Sequence, residues 1–127
     1  MMIVDRGLVA KLRITPAGPY CQIVETFTLR QVGSEWIVRY ASRDRITGEA
    51  TRKSRKPEAN HVTAQLAQLQ SAKIPVVLNA AMPCDGELVE VTIYGDTATL
   101  SATWWTIVPD GAEALGRFVA WLRRVCA

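Results

Sequence analysis

Residues 88–105 read LVEVTIYGDTATLSATWW, two alternating runs, Leu88–Tyr94 and Ala98–Trp105, joined at Gly95-Asp96. A Gly-Asp step between two period-two runs is the strongest short-range hairpin signal in the chain. Val89, Val91 and Ile93 fall on one face of the first run, and Ala98, Leu100, Ala102 and Trp104 share a face of the second. A hairpin that is apolar on one side needs a cover, and the following residues supply one. Pro109-Asp110-Gly111 reads as a helix start with Asp110 as its cap, and residues 111–125 place Leu115, Phe118, Val119, Leu122 and Val125 on a broad apolar face bordered by Trp121. Glu113 and Arg117 stand at i, i+4, and Arg123 and Arg124 sit at the end where the helix dipole favours cations. This helix is expected to pack on the sheet.

Upstream, the chain begins with strands. Leu8, Ala10, Leu12 and Ile14 alternate with Val9, Lys11 and Arg13 until Pro16-Ala17-Gly18-Pro19 stops the run. From Tyr20 to Gln31, Cys21, Ile23, Phe27 and Leu29 stay in phase, with Glu25 interrupting them, and Val32-Gly33-Ser34 reads as a turn. Glu35–Ser42 follows as a third strand, with Trp36, Val38 and Tyr40 on one face and Ile37 and Arg39 on the other. These meander connections imply antiparallel pairing.

Between strand three and the first helix lies a basic run. Residues 39–56 hold Arg39, Arg43, Arg45, Arg52, Lys53, Arg55 and Lys56 against Asp44 and Glu49 only, a net +5 in a chain whose total is +3, so the remainder is net −2. The molecule is polarised, and such asymmetry points to an acidic partner. The run reads either as a long hairpin arm or as a disordered loop, because neither side alternates cleanly. Pro57 suits the first turn of a helix over residues 57–72, in which Val62, Leu66 and Leu69 form the stripe, with Ala59 and Ala72 extending it, and Pro75 closes it. Ile74–Leu78 reads as a brief strand or a buried connection ahead of the Asp85-Gly86 turn.

The whole, at 127 residues with 49% hydrophobic and 21% charged, predicts a single domain over 1–127 with a core of its own. The fold class expected is α+β: a mainly antiparallel sheet of about five strands with two amphipathic helices packed on it. Asp5 and Arg6 interrupt the segment a signal peptide would need, and no run of about 18 apolar residues exists, so a cytoplasmic protein without membrane contact is the expectation. Cys21, Cys84 and Cys126 are odd in number and form no zinc or Cys-x-x-Cys spacing, which reads as three free thiols in a reducing compartment.

Catalytic candidates are few. His61, the single histidine, lies in a polar stripe with Asn60, Gln65 and Gln68. Its one conceivable mate for thiol chemistry is Cys84, in a Pro-Cys-Asp-Gly turn where Asp85 could orient the pair. Glu87 and Glu90 have odd spacing, which puts them on opposite faces of a strand and makes them poor partners in acid/base work or metal binding. The eight glycines contain neither a P-loop nor a dinucleotide fingerprint. No catalytic residue, cofactor or metal is therefore predicted, and a small cysteine-dependent enzyme stands only as an alternative.

The predicted binding residues are Arg43, Arg45, Arg52, Lys53, Arg55 and Lys56, with Tyr94 and Trp105 as aromatic anchors on the outer phase of the late hairpin. Three readings of the basic run compete: a solvated loop, a contact for an acidic protein, and a nucleic-acid contact aided by stacking on Tyr40 or Trp36. For Trp105, an exposed indole and one buried by a second element are both compatible with the pattern.

The hairpin with its Gly-Asp turn, Trp104-Trp105, Pro109-Asp110-Gly111 and the helix ending in Trp121-Leu122 resemble the close of small bacterial proteins of the toxin-immunity type. The resemblance spans residues 88–122. It implies a cytosolic protein that neutralises a cognate toxin domain by direct binding, without catalysis. Immunity proteins that block nucleases are often acidic, whereas this chain has a pI near 9.0, a departure that speaks against an active-site plug of a basic nuclease and is compatible with an acidic toxin or with exosite binding.

Overall fold

In the computed structural model, described over residues 7–17, 22–71, 86–95, 99–105 and 111–127, six strands form one sheet in the order β4-β3-β2-β1-β5-β6. The strands are β1 (Leu8–Ala17), β2 (Ile23–Val32), β3 (Glu35–Asp44), β4 (Ala50–Arg55), β5 (Gly86–Tyr94) and β6 (Thr99–Trp105). Helix α1 (Ala59–Ser71) follows β4, and α2 (Glu113–Val125) follows β6. Every neighbouring pair of strands is antiparallel. The α+β class is as the sequence predicts, with one strand more than about five.

The additional strand is β4. It pairs with β3 from Val38↔Arg55 to Arg43↔Ala50, so the basic run is a hairpin and not a loop. Its sequence hid this because an edge strand with both faces polar carries no period-two apolar signal. An edge rich in Arg and Lys also resists pairing with a further strand.

Inward phases of the strands coincide across the sheet. Leu12 of β1 stands beside Phe27 of β2 and Val91 of β5, while Ile14 stands beside Glu25 and Val89. The register continues to Val38 against Leu29, Tyr40 against Phe27, Ala102 against Val91 and Trp104 against Val89. Leu12, Leu29, Val38, Val62, Leu115, Phe118 and Leu122 are wholly buried, which places the core between this sheet face and the two helices. One irregularity occurs between Leu8 and Ala10, where the β1–β2 register shifts and Val9 is the extra residue of a bulge.

Some local expectations shift. Helix α1 starts at Ala59, and the Glu58 carbonyl accepts from His61 N and Val62 N, so Pro57 precedes the helix instead of occupying its first turn. The N-cap of α2 is Ala112, with no side-chain cap, so the cap position lies two residues beyond Asp110. In its place the Glu113 carboxylate accepts from Gly111 N at 3.1 Å, and bonds from its own amide and that of Gly111 hold its pKa below the ordinary carboxylate value. Ile23, the first residue of β2, and Leu100, the second residue of the edge strand β6, carry the inward phase but are 52% and 39% exposed. Ile74–Leu78, Cys21, Asp96 and Asp110 lie outside the described residues.

Among the described residues no helix is long and apolar enough to cross a membrane.

Candidate functional site

Because the helices cover one face, alternation leaves the other face open among the described residues. On that face β1 presents Lys11 and Arg13, β2 presents Val24 and Thr26, β3 presents Ala41 and Arg43, and β4 presents Ala50 and Arg52. One row across the sheet runs Arg13–Thr26–Ala41–Arg52, long cationic side chains on the outer strands and small ones between. The result is a groove of about 600 Å³, with Arg45 and Gly48 of the β3–β4 turn at one end.

Among the described residues five cations line this groove, Lys11, Arg13, Arg43, Arg45 and Arg52, and no carboxylate does. Glu90 flanks it, in register with Arg13. Among the described residues no carboxylate lies within ion-pairing distance of Lys11, Arg13, Arg43 or Arg52. Like charges held this close in a concave site raise the local potential and favour an anionic occupant.

The turn that closes the groove is tied down. Asp44 Oδ1 accepts from Ile46 N at 2.9 Å and Thr47 N at 3.1 Å, and its Oδ2 accepts from Gln22 Nε2 at 3.4 Å. These bonds, that from Thr47 foremost, lower the Asp44 pKa. Glu49 N donates to Thr47 Oγ1, and Gly48 takes φ +75°, a left-handed conformation that glycine adopts without strain. Arg45 N donates to the Gln22 carbonyl at 3.0 Å and its guanidinium to the Pro16 carbonyl at 3.3 Å, so the turn is anchored to the ends of both β1 and β2.

The remaining predicted contacts are divided. Lys53 and Arg55 alternate with Arg52 and fall on the helix side, in register with Tyr40 and Val38. Lys53 Nζ donates to the Cys126 carbonyl at 3.3 Å, just beyond the end of α2, and sits 5.6 Å from the Tyr40 ring centroid. There it satisfies an orphan carbonyl and complements the helix dipole. Tyr40 OH donates to Glu25 Oε2 at 2.7 Å, and burial first, then this bond, raises the Tyr40 pKa. Arg123 bridges Glu25 at 4.0 Å and Glu87 at 3.5 Å. The carboxylate that interrupts the β2 apolar phase is therefore a half-buried acceptor between α2 and the sheet. Burial raises the Cys126 thiol pKa, partly offset by Arg55 and Lys53.

Lys56 pairs with Glu35 at 3.3 Å, both exposed, outside the groove. Tyr94 is exposed on the open face, two residues past Thr92, the register partner of Lys11. Trp105 pairs with Leu88 in β6, and the two readings of its indole concern a side chain outside those described. Tyr40 lies in the core-facing phase with Phe27, their centroids 4.9 Å apart, so it offers no stacking surface to the groove. Trp36 shares that phase.

His61 is exposed on α1 with Nε2 3.8 Å from Glu58 Oε2, an ion pair only when the imidazole is protonated. Cys84 and Asp85 lie outside the described residues. Glu87 and Glu90 do fall on opposite faces, the first toward Arg123 and the second toward Arg13. Among the described residues no group of three or more His, Cys, Asp or Glu side chains could hold a metal.

Lys11 and Arg13 are the groove residues that sequence reasoning missed. Their polar phase on β1 was readable, but they read as the solvated side of a half-buried strand. Only the strand order, which sets β1 two strands from β3, brings them opposite the basic hairpin. No protein-family model and no curated protein matches this chain.

Proposed function

We propose that this protein is a non-catalytic binding module that docks an acidic protein partner on the open face of its sheet. The observation that carries the reading is the groove lined, among the described residues, by five cations and no carboxylate, built from two separate parts of the chain on the face the helices leave bare. A rigid sheet presents these charges in a set arrangement, and the bonded turn at Asp44 holds one of them in place. Such preorganisation lowers the entropy lost on association. The immunity-type resemblance implies a toxin domain as partner, and this charge pattern suits one that is acidic.

The test is titration calorimetry with the partner co-purified from native cells and then isolated. Arg43→Ala and Arg52→Ala should each weaken binding by about 2 kcal/mol, the cost of truncating one member of a desolvated charge pair. An affinity indifferent to both substitutions would reject the open face as the docking surface. An eluate whose absorbance is that of nucleic acid, and whose binding falls log-linearly with salt, would replace the protein partner by a polynucleotide.

A further inference from the structure

Resting on that docking reading, we infer that what enters the groove is an extended acidic segment of the partner, lying over β2 between two cationic banks, Lys11 and Arg13 of β1 and Arg43 and Arg52 of the β3–β4 hairpin. The register sets the width. From Arg13 on β1 to Arg52 on β4 the sheet takes three inter-strand steps of ~4.8 Å, about 14 Å between backbones, before two arginine side chains rise into the gap. A chain lying in this gap can reach both rows of cations at once, one with each side-chain phase.

The spacing along the banks agrees. Lys11 and Arg13 are two residues apart on one strand, ~6.8 Å, which is also the repeat of same-side side chains in an extended peptide. Acidic residues at alternate positions of the segment therefore meet one bank in register. Those of the opposite phase face Arg43 and Arg52. The floor between, Thr26 and Ala41, is small enough to let a backbone approach. A single-stranded nucleic acid has a comparable charge repeat but depends on aromatic platforms for its bases, and among the described residues no aromatic one lines the groove.

The experiment measures anisotropy of two labelled probes against the full chain: a peptide of consecutive glutamates, whose two side-chain phases reach both banks, and an oligothymidylate of equal charge. The peptide is expected to bind more tightly. Arg13→Glu and Arg52→Glu, on opposite banks, should each weaken it by about tenfold or more, and Arg124→Glu, on the exposed side of α2, should leave it unchanged. Arg13→Glu faces Glu90 across β1–β5 and should melt somewhat lower, so alanine replacements of the exposed Arg13 and Arg52, whose melts should match the wild type, provide the fold-neutral pair. Tighter binding of the oligothymidylate overturns the inference, as does sensitivity to one bank alone or an equal loss in Arg124→Glu. Should the intact partner lose affinity in the groove variants while the peptide fails to bind, the extended segment falls and the docking face stands.

Discussion

Single residues in this protein carry bonds whose loss has a direction. Tyr40 donates to Glu25 while its ring rests on Phe27, so Tyr40→Phe keeps the packing and removes only the hydroxyl. Glu25 keeps Arg123 as a partner, and the site is partly exposed, so the expected cost is about 1 kcal/mol in urea denaturation. Asp44 makes a pH prediction. Its folded pKa lies below the unfolded value, so its contribution is complete above the ordinary aspartate pKa and is lost as pH falls through the lower folded value. Amide resonances of Ile46 and Thr47 should move together in that acid window and nowhere between neutrality and the ordinary value. Asp44→Asn should abolish the step; a shift that persists would assign it to another carboxylate.

At the scale of the element, hairpins organise four of the six strands into a meander, and their turns decide register. Val32 pairs with Glu35 across Gly33-Ser34, and Gly33 has φ +62° with nothing within 4 Å of where a Cβ would stand. Gly33→Ala should therefore destabilise by about 1 kcal/mol through backbone strain alone, without a steric clash. Chemical denaturation should show an unchanged m-value and a lower midpoint. The β3–β4 hairpin shows the limit of reading elements from pattern. Its outer strand has both faces polar, so no periodicity marks it, and its existence depends on the ladder to β3. The late hairpin and α2 were legible because one face of each is apolar at the right period, while the α2 cap was not, since Ala112 caps with backbone alone.

For the whole molecule, one layer of helices on one face of a six-stranded sheet makes the core and the cationic groove opposite sides of the same strands. Phe118 is wholly buried, 6.0 Å between centroids from Trp121, and Phe118→Ala should cost about 3–5 kcal/mol, with a single cooperative melt at lower temperature. A variant that lost helix signal while the sheet melted unchanged would show two independent units. The sequence by itself determined the α+β class, the phase of the inward side chains and the charge polarity. All of these are local, because period-two and helical repeats are written in neighbouring residues. Only the tertiary structure decided that Lys11 and Arg13 join Arg43, Arg45 and Arg52 while Lys53 and Arg55 turn to the α2 end. Strand order and edge pairing come from contacts between residues far apart in the chain, and one residue of alternation along β4 is enough to send adjacent cations to opposite faces.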